Sequence, residues 1–425
     1  MRATKPRSHH NVRMDEHLLR EITTGNRLGS GDWRAEFLAR AGASSGTIAA
    51  KTASFAITVG VALLVSLPLI YLSGADGDLA LEALVVGSWG SPAAIAETLV
   101  QSTPLLISGL AVALAFHAGL FNIGVEGQLV VGALAAGIIG ATLPLPGTAL
   151  LVVCMLGGAA AGALWALVPA LLKAFRGVHE VVTTIMMNYV AFSLSTFLVS
   201  PSGPFVSETQ PSATEKIIDE ARLPVVMPGT RLHAGLIIAI ILVVAFAWVL
   251  HRTPFGFGLR LTGANRSAAE SAGVSVAGTV VRAMLLSGGL AGIAGAVQVL
   301  GLFGRYYDAF SPGYGFDAIA VALLGALAPI GIAVAALFFG TLDSGAVYLQ
   351  AQAGMSREMV GVISGLVVAF VAAQPAVLRL LRAWRARRPA RGGELDHAID
   401  TALPPPLADE NEEMSRSLAE MESNR

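Results

Sequence analysis

The sequence predicts an all-α, polytopic membrane protein of about ten transmembrane segments, and three observations carry that reading. Of its 425 residues, 54% are hydrophobic and only 13% are charged, whereas soluble domains carry about 25% charged side chains. The apolar residues gather into runs at 52–73, 93–116, 147–172, 181–199, 233–250 and 360–377, each close to the roughly 20 residues that cross a bilayer. The 47 glycines are poor helix formers in water but suit a membrane bundle, where small residues let backbones approach. A single cysteine, Cys154, excludes an intrachain disulfide and leaves no basis for a metal cluster.

Residues 1–51 carry seven arginines between Arg2 and Arg40 without sustained apolar periodicity, which predicts a disordered, basic cytoplasmic segment. Nothing in it resembles a cleaved signal, so the run 52–73 reads as an uncleaved first span. Asp76, Asp78 and Glu82 follow without Lys or Arg, placing that loop outside. The second span descends to His117, the third ends at the turn 144–147, and the fourth returns to Lys173 and Arg176. The fifth emerges into an outer loop, 200–231, where Ser212 and Glu215 ahead of Ile217 and Ile218 form a capping-box pattern that predicts a short amphipathic helix. The segment 251–282 holds Arg252, Arg260, Arg266 and Arg282 and is cytoplasmic by the positive-inside rule. A seventh span, about 283–302, rises to an outer edge of Phe303, Arg305, Tyr306 and Tyr307.

The basic cluster from Arg379 to Arg391 pins the C-terminus inside. The stretch 316–348, interrupted at Pro329-Ile330-Gly331, must then cross twice, as two short spans or a re-entrant pair. Both termini are cytoplasmic on this reading. The membrane domain is 52–380, and 381–425, acidic and containing three consecutive prolines, reads as a disordered cytoplasmic tail.

Three stretches hold the candidate functional residues. Residues 119–132 read GLFNIGVEGQLVVG, setting Asn122, Glu126 and Gln128 where an apolar helix begins; polar groups in hydrocarbon face a cavity or a partner. Asn122 and Glu126, four apart, share a helix face, whereas Gln128 points elsewhere unless Gly124 or Gly127 breaks the helix. These three, with Asn188 and Tyr189 in the middle of the fifth span, are candidates for a substrate path, the alternative being hydrogen bonds that fix helix packing. Past the sixth span, Ser267 and Glu270 form a second capping box, 268–272 forms a short helix, and Gly273 fits a left-handed stop. A helix that short is marginal in water and implies docking on a partner. Asp317 and Asp343 bracket the hairpin as caps or as lining of an outer vestibule, while His117 and His179 sit at membrane edges.

Catalytic patterns are missing from the sequence. His179-Glu180 opens a HExxH zinc pattern, but Thr183 stands where the second histidine belongs. Ala50 precedes Lys51-Thr52, so no Walker loop forms, and no G-x-S-x-G occurs. The chain is expected to be neither an enzyme nor an ATPase.

Four stretches together, GLFNIGVEGQ near residue 120, HEVVTTIMMNY from His179, TPFGFGLRLTGANRSAAESAGV from Thr253 and GYGFDAIAVALLGALAP from Gly313, resemble the permease subunits of bacterial ABC importers of the nucleoside-type branch, across about 50–380. The resemblance implies a multi-pass subunit of the cytoplasmic (inner) membrane that translocates nucleosides by alternating access. It implies a second permease, homologous or identical, and cytoplasmic ATP-binding cassette subunits that use the ATP, this chain binding no cofactor. It also implies an extracytoplasmic substrate-binding lipoprotein, with no role for nucleic acid. By similarity, 263–274 is the coupling helix that rests on the ATPase, with Gly263, Asn265, Ser267, Ala268, Ala269, Glu270 and Gly273 as its contact residues. Ribose-type permeases tend to carry I-D-L-S-V-G where this chain has Ile123-Gly124-Val125-Glu126-Gly127-Gln128, which favours nucleosides over free sugars. The alternatives are an ABC permease for a monosaccharide such as ribose, or a self-sufficient secondary transporter. The latter calls for intramembrane carboxylates or histidines, and only Glu126 and Glu97 qualify.

Overall fold

Helix after helix follows the apolar runs. The computed structural model describes residues 85–353 and the isolated positions Glu82, Val362 and Gly365, all within the unit Ile57–Arg388. The helices are α1 Pro92–His117, α2 Val125–Thr142, α3 Gly147–Arg176, α4 Glu180–Val199, α5 Gly235–Arg252, α6 Pro254–Ala264, α7 Arg266–Ser271, α8 Val276–Val297, α9 Tyr314–Leu324 and α10 Pro329–Ala353. A π-helical turn, Gln298–Phe303, extends α8. Among the described residues seven helices are long and apolar enough to span a bilayer, and α9 is a shorter apolar helix; the protein is a multi-pass, all-α membrane protein. The expected runs 52–73 and 360–377, and the terminal segments 1–51 and 381–425, lie outside the described residues.

Helix ends follow local chemistry. Ser91 caps α1 by accepting from the Ala94 N–H at 3.1 Å, with Pro92 in the first turn. Gly177, at φ +65°, stops α3 just after Lys173 and Arg176, cations that complement the negative end of the helix.

Burial separates an inner layer from an outer one. In α1, α2 and α8 between 67% and 83% of the apolar window is buried, against 22% in α3, α4 and α5, so the first three form the core and the others leave most of their apolar side chains exposed. The α3–α8 approach is among the closest. A Cβ on Gly162 would strike the backbone of Gly288 and Gly292, and one on Gly292 would strike Gly158. Two small-xxx-small stripes, 158/162 and 288/292, thus bring two backbones into direct contact.

The hairpin 316–348 resolves into one short and one long helix. Ile332 packs on Gly109, and Ser102 faces Gly340, so α10 runs antiparallel to α1. Eleven residues give α9 a length of about 16 Å, half a bilayer. Its first residue, Tyr314, bonds to Gln101 well inside α1, so α9 begins within the membrane. The break lies slightly before the expected one: Ala326 and Leu327 adopt φ of 50° and 57°, and Pro329 opens α10 rather than interrupting it.

The loop 200–231 corrects a second expectation. Ser212 sits at φ 55° and caps no helix; Glu215 accepts from the Glu208 N–H at 2.6 Å instead. The helical element there is a single 3-10 turn, Asp219–Ala221. The loop is instead stitched onto the end of α8 by backbone bonds Thr214 N–H to Tyr306 O (3.0 Å), Ile217 N–H to Gly304 O (2.9 Å) and Leu223 N–H to Leu300 O (2.9 Å). Tertiary pairing with a neighbouring chain segment outweighs a marginal local helix.

Candidate translocation site

The polar start of α2 is built around a turn rather than a continuous helix. Gly119, at φ +69°, packs on the backbone of Gly263 and reverses the chain at the end of α1. Residues 120–124 stay non-helical, and α2 starts at Val125.

Asn122 therefore lies outside the helix, and the expectation that it shares a face with Glu126 is overturned. Its amide pairs with Gln128: Asn122 Nδ2 donates to Gln128 Oε1 at 3.0 Å, and Gln128 Nε2 donates back at 3.2 Å. Asn122 Nδ2 also donates to Ser287 Oγ on α8 (2.9 Å), and that hydroxyl donates to the Ala111 carbonyl of α1 (2.7 Å). The Gly124 N–H closes the turn onto Asn122 Oδ1 at 3.1 Å, an Asx-type bond that holds the loop.

Asn188 fastens the same turn from α4. Its Nδ2 donates to the Ile123 carbonyl at 3.0 Å and its Oδ1 accepts from the Gly127 N–H at 2.9 Å. Tyr189 does not join it; one residue on, it is 63% exposed on the outward side of α4. Asn122, Glu126, Gln128, Asn188 and Ser287 are each 2% exposed or less, so the segment is a buried network in which every amide has partners.

Glu126 faces the other way, toward the membrane-buried start of α9. Its Oε2 accepts from the Gly315 N–H at 2.5 Å, so a side chain in the first turn of α2 satisfies a free donor at the start of α9. From there a polar chain leads outward. Tyr314 Oη donates to Gln101 Oε1 (3.1 Å), Gln101 Nε2 donates to Glu97 Oε1 (2.9 Å), and Arg231 of the outer loop grips Glu97 with two bonds, 3.1 and 2.6 Å. Asp317 lies in the first turn of α9, and Gly313 is the residue that precedes that helix as its cap.

On the opposite side of the bundle, α7 is a six-residue helix between α6 and α8. Its cap is Asn265, whose Oδ1 accepts from the Ala268 N–H at 3.1 Å; the expected capping by Ser267 is overturned, since the helix begins two residues earlier. Gly273 adopts φ +78°, as the stop signal required. Ala269 is buried, while Gly263, Asn265, Ser267, Ala268, Glu270 and Gly273 are exposed. Glu180 of the broken zinc pattern pairs with Lys173 at 2.7 Å, tying α4 to α3.

A family model described as the branched-chain amino acid transport system / permease component matches residues 94–372, most of the chain. The chain belongs to this permease family. It is 40% identical over 302 residues to the guanosine ABC transporter permease protein NupP of Bacillus subtilis, covering 69% of this permease and 85% of that one. It is 38% identical over 288 residues to the glucose ABC transporter permease protein TsgB13 of Haloferax volcanii, covering 65% and 75%. To the nucleoside ABC transporter permease protein NupB of Lactococcus lactis it is 33% identical over 300 residues, covering 68% and 82%. No solved structure matches the permease.

Sequence reasoning missed three parts of the permease's interior: Ser287, which ties Asn122 to α1, the Gln101–Tyr314 link, and Gln298. Each is a polar residue within a membrane helix or its start, a signal present in the sequence but shared with many residues that only fix packing.

Proposed function

We propose that this permease is the translocating subunit of an ATP-binding cassette importer for nucleosides in the bacterial cytoplasmic membrane. The observation that carries the reading is its 40% identity with a guanosine permease across 85% of that protein, supported by a second, nucleoside relative. The site chemistry is compatible: Asn122, Gln128 and Asn188 are neutral amides, which offer donors and acceptors to a base or ribose without a charge to desolvate. In the resting network Asn122 and Gln128 bond each other and Asn188 bonds the backbone of Ile123 and Gly127, and a solute on the path exchanges those bonds for its own. Tight binding is not required of a permease fed by an extracytoplasmic substrate-binding lipoprotein.

The partner ATPase docks on the exposed face around α7, and a second permease, homologous or identical, completes the path. ATP binding by the ATPase pair moves α7 and, through it, α6 and α8, and the bundle alternates between outward and inward access. Glucose is the second reading, favoured by the archaeal glucose relative. Uptake of radiolabelled guanosine by cells producing the permease with its ATPase, competed with uridine, adenosine and glucose, separates the two. Competition by nucleosides alone supports the first reading; competition by glucose alone overturns it. Accumulation by the purified permease alone in liposomes under an ion gradient would reject the ATP-driven mechanism.

A further inference from the structure

Gln298 is 1% exposed, and its Oε1 finds no hydrogen-bond partner among the described residues. A buried amide oxygen without a partner is costly, and native proteins keep few of them. It opens the π-helical turn Gln298–Phe303 that ends the α8 span, an uncommon helix geometry.

Its place in the bundle follows from register. Ser287 bonds to Asn122 and to the Ala111 carbonyl, while Leu302 packs beside Ala96 and Val100, so α8 runs antiparallel to α1. Gln298 follows Ser287 by eleven residues, within about 20° of the same helix face and roughly 16 Å further out. That puts it near the level of Val100 and Gln101. Pro104 in α1 removes the N–H that would bond the Val100 carbonyl in a regular helix. Between the two levels, one turn outward from Ala111, Ser108 Oγ is also fully buried and unpartnered. Unspent hydrogen-bonding capacity thus continues outward from the satisfied Asn122–Gln128 pair.

We propose that Gln298 contacts the transported nucleoside on the outer half of the path, its side-chain amide bonding the base or ribose, with Ser108 as the next station inward. This rests on the transport reading above and names residues that carry it out. A solute supplies the partner that the protein withholds; an apolar replacement at Gln298 therefore costs transport while leaving the fold intact or firmer.

The test uses the full-length permease produced with its ATPase. Gln298→Leu is expected to lower guanosine uptake at least tenfold, with wild-type protein levels in the membrane and a melting temperature in detergent equal to or above wild type. Gln298→Asn, which keeps the amide on a shorter stem, is expected to retain uptake with a raised KM and a changed ratio of guanosine to uridine competition. Wild-type KM and competition in Gln298→Leu would overturn the proposal. So would a lowered melting temperature and loss of protein from the membrane in that variant, the result of a packing role. If wild-type cells take up glucose and not guanosine, the nucleoside reading fails, and the same comparison made on glucose uptake decides whether Gln298 contacts the solute.

Discussion

The carboxylate of Glu126 and the N–H of Gly315, 189 residues apart in sequence, meet at 2.5 Å inside the membrane. This bond joins the starts of two helices that both begin away from the membrane surface, α2 after the turn at Gly119 and α9 after the loop from the outer side. Gly315 is glycine for a steric reason, because a Cβ there would lie against the backbone of Glu126.

Glu126→Leu leaves the Gly315 N–H buried and unpaired, at a cost of about 1–3 kcal/mol. Glu126→Gln keeps an acceptor oxygen and is expected to melt near wild type. Thermal unfolding of the purified protein in detergent checks the order wild type, Gln, Leu; equal melting of all three would show that the bond contributes nothing.

The α3–α8 contact predicts a sharp positional contrast. Gly292→Ala drives a methyl group into the Gly158 backbone and is expected to destabilise by about 1–3 kcal/mol. Gly289→Ala, three residues away, meets Ala159 and Ala163 at ordinary separations of 3.6 and 3.8 Å and is expected to be neutral within experimental error. The yield of folded protein after membrane extraction distinguishes them.

Asn265 caps a six-residue helix too short to persist without its cap and its packing. Asn265→Ala removes about 1 kcal/mol and is expected to reduce uptake several-fold with little change in melting temperature, whereas Asn265→Ser is expected to retain activity. Ser267→Ala is silent on capping, and a cysteine placed at Ser267 crosslinks to the co-expressed ATPase. Failure of that crosslink in an active complex would remove α7 from the ATPase contact.

His233, in the segment before α5, accepts the Gly235 N–H on Nδ1 at 3.1 Å. Burial and the nearby Arg222 cation hold its pKa down to about 4, from an ordinary 6.5. Above pH 6.5 both folded and unfolded imidazoles are neutral and stability is unaffected. As pH falls from 6.5 toward 4 the unfolded chain binds a proton that the folded one refuses, and stability drops by about 1.4 kcal/mol per pH unit. Melting measured at pH 7.5 and 5.0 is expected to fall more for wild type than for His233→Asn. Parallel falls would locate the sensitivity elsewhere.

The physical reason for what was legible is chemical locality. Hydrocarbon demands long apolar helices, so the runs at 93–116, 147–172 and 233–250 announce α1, α3 and α5 without further information. Gly273 likewise acts through its own backbone and marks a helix stop, whereas Pro329, read as an interruption, opens a helix. Side-chain pairing is not local in this sense. Whether Asn122 faces Glu126 or Gln128 depends on where α2 begins, and that is set by the turn at Gly119 packed on Gly263. The capping pattern at Ser212 loses to backbone bonds with the end of α8, a segment some ninety residues away.

By itself, the sequence determined that this chain crosses the membrane repeatedly as α-helices and that it lacks the motifs to hydrolyse ATP. Only the tertiary structure decided which polar residues meet: Asn122 with Gln128, Glu126 with Gly315, and Gln298 Oε1 with no partner among the described residues. The first set follows from the solvent each residue must face, a property of composition along the chain. The second follows from the register between packed helices, fixed by close contacts such as Gly162 on Gly292 that join residues far apart in sequence.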